Sequence, residues 1–344
     1  MVTIKDVARA AGVSAATVSR VWNDSAVVSE DTRRHVREVA ARLGYSPHGA
    51  ARSLITRTTR TIGVLLPDLY GEFFSEVIRG IDQTAQQHGF HLLVSSSHDS
   101  RSEIEAALRS MRGRVDGLIV MSPDLDAQGA LHAIGGSFPV VLLNAVATGE
   151  SFDSITIDNR GGAAAMVRHL VALGHRRIAM IAGPERNYDS AERLAGYREA
   201  LAPATKRADR SAHASLVRHG DFSEASGHRA ARAFLELEPR PSAIFAANDS
   251  MAIGALSALH EAGLRVPEDV AVVGFDDIPM ARYMNPPLTS VHVDISDLGH
   301  RATERLLELL AGPAPPPSPR QETVPAALVV RGSCGGGSAT TLNR

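Results

Sequence analysis

Ten side chains spread along the 344-residue sequence have the types and placement to hold a small polar molecule. Asp68 follows the apolar run TIGVLLP, and Phe73 and Phe74 open the helical stretch after it. Asn144 ends PVVLL, Arg193 lies on the stretch after RRIAMIAG, Phe222 follows HGD, Asn248 and Asp249 end SAIFAA, and Asp276 and Asp277 end DVAVVGF. Open α/β sheets bind ligands at the carboxyl ends of their strands, where these residues fall. Taken singly, Asn and Asp at such turns are most often helix N-caps, and a Phe pair is most often core. As a set they offer a planar guanidinium, carboxylates, amides and aromatic faces. A polyhydroxylated ring needs that combination, with hydrogen bonds along its edge and stacking on its apolar face.

A second group could read the edge of a base pair. In TIKDVARAAGVSAATVSRVWN, residues 3–23, Ile4, Val7, Ala8 and Ala11 share one helical face behind Thr3, a natural N-cap. Gly12 ends that helix. Ser14 caps another, with Val18, Val21 and Trp22 on one face and Ala15, Ala16, Ser19 and Arg20 on the other. Two short helices around a glycine turn make a helix-turn-helix unit, whose second helix fits the DNA major groove. The bland alternative is an ordinary helical hairpin capping a larger fold. A third helix starts at Ser29, carries the apolar stripe Val36, Val39, Ala40 and Leu43, and stops at Gly44, so three helices can close a small core.

The elements around these groups differ in charge and in period. Residues 1–60 hold ten Lys or Arg against five Asp or Glu, a balance of +5, while the rest of the chain carries 26 against 33, a balance of −7. The overall net charge of −2 therefore conceals a basic head suited to a polyanion. From residue 61 the apolar runs TIGVLLPD, HLLVSSS, DGLIVM and PVVLLN alternate with helical stretches near 73–88, 101–112 and 127–134. The pattern then restarts with RRIAMIAG, SAIFAAND and DVAVVGFDD between helices near 159–173, 191–201, 223–236 and 250–262. Two α/β lobes built on parallel sheets follow from this repetition.

The signature TIKDVARAAGVSAATVSRVWN, followed by VSEDTRRHVREVAARLGYSP and HGAARSL, resembles that of the LacI/GalR family of bacterial transcription regulators, and the resemblance extends to about residue 331. It implies an all-α helix-turn-helix headpiece joined to an α/β two-lobed core of the type I periplasmic-binding-protein-like kind, with two parallel-sheet Rossmann-like subdomains. The implied layout is a headpiece at 1–46, a hinge helix and linker at 47–60, and an effector-binding and dimerisation core at 61–331. Lobe 1 would comprise about 61–160 and 291–320, and lobe 2 about 161–290 and 321–331, with a flexible tail at 332–344. TSVHV and the helix 296–310 would return to the first lobe, the crossings lying near 158–162, 287–293 and 318–323.

The resemblance also implies roles. DNA would be contacted by Thr3, Ser14, Ala15, Ala16, Thr17, Ser19, Arg20 and Asn23, and by Ala51, Arg52 and Leu54 of the hinge. That hinge would fold only on DNA, with Leu54 wedging into the minor groove; Gly49 within it disfavours a free helix. The effector, a sugar or sugar derivative, would meet Phe73, Phe74, Asn144, Arg193, Phe222, Asn248 and Asp276, with Asp68 beside them. Asn144 stands where many relatives carry Asp, and the loop PERNYDSAER is altered. The implied partners are a pseudopalindromic duplex DNA operator, the small-molecule effector and a second copy of the chain, as a homodimer or higher oligomer. The implied activity is repression of transcription.

Other classes are disfavoured. There is no G-x-G-x-x-G after a strand, no phosphate-binding G-x-x-x-x-G-K-[ST], no G-x-S-x-G elbow and no H-E-x-x-H, so the expectation is no enzyme and no cofactor. His169, His175 and His292 have no third ligand at fixed spacing, and Cys334 is the single cysteine, so no metal site is expected. No apolar run approaches the roughly 18 residues of a membrane span and no signal-peptide core opens the chain, which favours the cytoplasm. The alternative reading is a sugar-binding or sugar-modifying α/β protein with an incidental helical N-terminus.

Overall fold

The computed structural model describes residues 2–22, 27–45, 58–98, 100–121, 138–145, 152–202, 215–312 and 318–336. They fall in two compact units, Met1–Thr59 and Arg60–Arg344. The first contains α1 (Ile4–Ala10), α2 (Ala15–Trp22) and α3 (Glu30–Leu43). Each start is fixed locally. Thr3 donates its hydroxyl and its backbone N–H to Asp6 Oδ2 (2.7 and 2.9 Å), Ser14 Oγ accepts from the Thr17 N–H (3.0 Å), and Ser29 Oγ accepts from the Thr32 N–H. Gly44, at φ 65°, supplies the left-handed residue that ends α3. The apolar stripes meet in a core of Val7, Val18, Val21, Val36 and Val39 with three alanines, and Trp22 packs edge-on against Tyr45 at 5.6 Å.

The second unit alternates strands and helices. In order these are β1 (Thr61–Leu66), α4 (Glu72–Gln87), β2 (His91–Ser96), α5 (Arg101–Met111), β3 (Gly117–Met121), β4 (Val140–Leu143), β5 (Asp153–Ile157) and α6 (Asn159–Ala172). There follow β6 (Ile178–Ala182), α7 (Tyr188–Leu201), β7 (Val217–His219), α8 (Glu224–Leu235), β8 (Ala243–Ala246), α9 (Asp249–Glu261) and β9 (Ala271–Asp276). The chain closes with β10 (Thr289–His292), α10 (Ile295–Ala311), β11 (Gln321–Val324) and β12 (Ala327–Val329). One six-stranded sheet runs β11-β5-β4-β3-β1-β2, wholly parallel; the other runs β12-β10-β9-β8-β6-β7, with β12 antiparallel to β10. Strands β3, β4, β6, β8 and β9 are buried at every residue, which is why they read as continuous apolar runs. Helices α4 and α10 cross so closely that a Cβ at Gly80 would collide with the Ser296 backbone.

Three expectations require correction. TSVHV does not return to the first lobe, because β10 pairs with β9, Thr289 opposite Val273, inside the second sheet. QETV does not belong to the second lobe: it is β11, paired with β5 at the edge of the first sheet, and three of its four residues are exposed, so no apolar run announces it. The last crossing therefore lies at 325–326, between β11 and β12, rather than at 318–323. The tail is ordered at its start. Gly332–Cys334 form a 3-10 turn in which Ser333 Oγ accepts from the Thr289 N–H (2.8 Å) and Cys334 is buried beside His169. Residues 337–344, the hinge residues 46–57 and the stretch 127–134 lie outside the described residues.

Candidate functional site

Two sites emerge, one in each unit. In the headpiece, burial of Val18 and Val21 fixes the rotation of α2, which leaves Ala16 and Arg20 exposed and Ala15, Thr17 and Ser19 half-buried on its outer side. Ser14 and Thr17 are joined through their hydroxyls (2.8 Å) at the start of that helix. Thr3 stands exposed at the start of α1, where its two hydrogen bonds hold the Asp6 carboxyl below the usual carboxylate range. Helix α2 thus offers a short, small-residue face with one long cation, a shape that can enter a groove and reach a base edge. Asn23, Ala51, Arg52 and Leu54 lie outside the described residues.

In the second unit, the seven residues that the resemblance gives to the effector, and Asp68 beside them, line one cavity of about 210 Å³ between the two lobes, whereas Asp249 and Asp277, also at strand ends, do not line it. Asp68, Phe73, Phe74 and Asn144 come from the first lobe, from the ends of β1 and β4 and the first turn of α4. Arg193, Phe222, Asn248 and Asp276 come from α7, the loop after β7, the start of α9 and the end of β9. Phe73 and Phe74 pack edge to face at 5.6 Å. Asn144, Phe222 and Asp276 hold positive φ of 47°, 68° and 101°. Such backbone is rare for these residues and concentrates at sites whose side chains must be aimed. Gly183 makes room for the Phe222 ring, which a Cβ there would strike.

The polar floor is a network rather than a set of independent groups. Arg193 is buried; its Nε donates to Asn159 Oδ1 (2.7 Å), Nη1 donates to the Ala247 carbonyl and stands 3.1 Å from Asp276 Oδ1, and the guanidinium stacks on Phe275 at 3.8 Å. Asn159 Nδ2 donates in turn to Asp189 Oδ1 (2.8 Å). Burial raises the carboxyls of Asp189 and Asp276 to about 6, although Arg193 pulls both the other way. Asp189 was not among the residues read from sequence. Its signal was available, since it lies four residues before Arg193 on one helical face, inside the altered loop PERNYDSAER.

Asn248 serves as the N-cap of α9, accepting from the Met251 N–H (3.0 Å), and it fixes the Phe222 carbonyl through Nδ2 (3.0 Å). Asp68 takes the Leu69 and Tyr70 N–H groups on one oxygen and shapes the turn at the cavity mouth. His292 is held by Asp277 (3.1 Å) and His175 by Ser242 (3.0 Å), each as a structural partner. Among the described residues no group of three or more His, Cys, Asp or Glu is arranged to hold a metal, and no helix is long and apolar enough to cross a membrane.

Family models for lacI-type bacterial regulatory proteins and for a periplasmic binding protein-like domain match residues 3–48 and 167–334. The chain is 37% identical over 310 residues to the HTH-type transcriptional repressor PurR of Vibrio atlanticus, spanning 90% of this chain and 92% of that one. The chain belongs to the LacI family of bacterial regulatory proteins. Among solved structures this LacI-family chain resembles the lac repressor dimer bound to operator and the anti-inducer ONPF, at 35% identity and a TM-score of 0.84, over 97% of this chain and 99% of that one. It also resembles the CelR–cellobiose complex, at 34% identity and a TM-score of 0.72, over 97% of this chain and 100% of that one. The chain is a helix-turn-helix transcriptional regulator of this family, and its core has the effector-binding architecture.

Proposed function

We propose that this LacI-family chain is a cytoplasmic homodimeric repressor without catalytic activity, whose affinity for a pseudopalindromic operator is set by a sugar-like effector in the cleft. Two α2 helices present Arg20 and the small residues around it to two half-sites. Residues 47–60 fold as a hinge on DNA, where Ala51 and Arg52 touch the backbone and Leu54 wedges the central step. Effector binding changes how the two lobes close and so whether paired headpieces can dock.

The observation that carries this reading is the cavity: residues from both lobes, separated by up to about two hundred positions, bring aromatic faces and polar edges around a space sized for one ring. The operator bound by the lac repressor and the cellobiose bound by CelR support it by family likeness. A gel-shift selection against genomic fragments, repeated with each ligand that raises the melting temperature in a screen of monosaccharides, nucleosides and purines, tests it. The expected result is a retained palindromic fragment whose retention changes with one of the sugars. Failure to retain any specific fragment would overturn the repressor reading, and control by a nucleoside or purine would replace the sugar.

A further inference from the structure

The cleft is lopsided in charge. Among the described residues its ionisable lining is Asp68, Glu72, Asp189, Asp221, Glu224 and Asp276 against a single guanidinium, Arg193. That guanidinium is already engaged by Asn159, the Ala247 carbonyl and Asp276. Asp189, buried on the floor, receives one side-chain hydrogen bond, from Asn159. Asp276 Oδ1 is ion-paired but receives no aligned hydrogen bond, and Asn144, only 1% exposed, has a buried Oδ1 with no donor. The unfilled polar positions on both sides of the cavity are therefore acceptors. A buried acceptor without a donor is costly, and two carboxyls sharing one cation leave net negative charge in a poorly screened space.

We propose that the cleft takes a cationic ligand, a single-ring polyol bearing an amino group, with its ammonium against Asp189 and Asp276 and a hydroxyl donating to Asn144 Oδ1. This rests on the effector reading of the cleft and narrows it. An ammonium brings three donors and the missing positive charge together, whereas a phosphate or carboxylate brings only acceptors and finds no free cation among the described lining residues. The cavity of about 210 Å³ lies below the roughly 300–1,000 Å³ of pockets that hold drug-sized ligands, which fits one ring. The acidic mouth formed by Asp68, Glu72, Asp221 and Glu224 steers cations inward.

Isothermal titration of the full chain with glucosamine, galactosamine and mannosamine, beside their parent hexoses, N-acetyl forms and 6-phosphates, tests the assignment. One amino sugar should bind at least about tenfold tighter than both its parent hexose and its N-acetyl form, with no binding of its phosphate. Asp189→Asn should remove at least about tenfold of that affinity while its ligand-free melt stays cooperative. Should that variant not fold, the amino against N-acetyl comparison on the unaltered protein decides alone. Absence of binding by every amino sugar, or equal or tighter binding of a parent hexose, overturns the proposal. If that hexose also alters operator retention, the effector reading stands without it; if no sugar of any charge binds while the operator is still retained, both fall.

Discussion

The headpiece and the cleft handle charge in opposite ways. No charged side chain described in the headpiece is buried, and its core is valine and alanine, so Arg20 and its neighbours stay hydrated. The core instead buries Asp153, Asp189, Arg193, Asp249 and Asp276 and balances them against one another and against backbone donors. A surface that meets a polyanion gains by keeping its cations free, because the attraction is long-ranged and needs no desolvated partner in advance. A site that must select one small molecule needs groups already stripped of water and fixed in direction. Substitutions in the cleft should therefore disturb folding as well as binding, and those on the outer side of α2 should disturb binding alone.

The largest effect is expected at Arg193. Removing it strands Asp276 and Asp189 in a buried space and frees the Ala247 carbonyl, a loss of the order of 3–5 kcal/mol. Urea unfolding followed by far-UV circular dichroism, dominated by the large core, should show Arg193→Ala losing that stability together with any effector response. Adding Asp276→Asn should recover part of the stability by removing one stranded charge. A melt unchanged by Arg193→Ala would break the contrast, since the cleft would then tolerate loss of charge as a surface does.

The two units should also titrate in opposite directions. Burial raises Asp189 and Asp276 to about 6, so between their ordinary value near 3.8 and about 6 the native core holds more protons than the unfolded chain. Core stability should fall as pH rises from about 4 to about 6 and level off above, by of the order of 2 kcal/mol per carboxyl. Asp189→Asn should remove its share of that slope. Asp6 is depressed by its hydrogen bonds from Thr3, so its contribution is present above the ordinary carboxylate value and is lost as pH falls through the depressed one. The single tryptophan, Trp22, packs on Tyr45 in the headpiece, so its fluorescence follows that unit while circular dichroism follows the core. Parallel slopes in the two signals would contradict the assignment of Asp189 and Asp276.

Much of this was legible in the sequence where the determinant is local. Thr3, Ser14 and Ser29 sit where side chains close the first turns, and the spacing of Val7, Val18, Val21, Val36 and Val39 matches the faces that meet. Strand-end placement points to ten residues, of which eight line one cavity, because parallel strands deliver their carboxyl ends to one edge; Asp249 and Asp277 share that placement but do not line it, and only the family resemblance separates them from the eight. Pairing was less legible. Strand β11 lies exposed at a sheet edge and carries no apolar period, and β10 could be assigned to either sheet until its register with β9 was known. Asp189 was passed over because a charged residue in a first helical turn reads as an ordinary dipole partner, and only burial beside Arg193 marks it as part of the site. Asn248 shows that the bland reading can also hold: it caps α9 and lines the cavity at once.

An intermediate effect is expected at Arg20. It is exposed on the outer side of α2, so Arg20→Ala should leave the Trp22 fluorescence melt unchanged. If Arg20 reads guanine O6 and N7, operator binding should weaken by about 1–3 kcal/mol, with preference relaxed at one base pair per half-site. Equal weakening across all sequences would make Arg20 a phosphate contact and show that the outer side of α2 supplies attraction without readout.

The smallest effect separates two roles of one hydroxyl. Ser14 Oγ accepts from the Thr17 N–H at 3.0 Å and so caps α2, and the DNA-binding role proposed for Ser14 would give the same hydroxyl a phosphate partner. Ser14→Ala should cost about 1 kcal/mol of headpiece stability in the Trp22 signal and weaken operator binding, without saying which role matters. Ser14→Asp does say. A carboxylate caps as well as a hydroxyl and suits the positive end of the helix, so the melt should return to its original position. On DNA the added negative charge faces the phosphate backbone, so binding should fall further, and most at low salt where that repulsion is least screened. Recovery of stability with loss of binding places Ser14 at the phosphate as well as at the cap. Recovery of both would leave it a cap only, with recognition resting on the residues one turn further along.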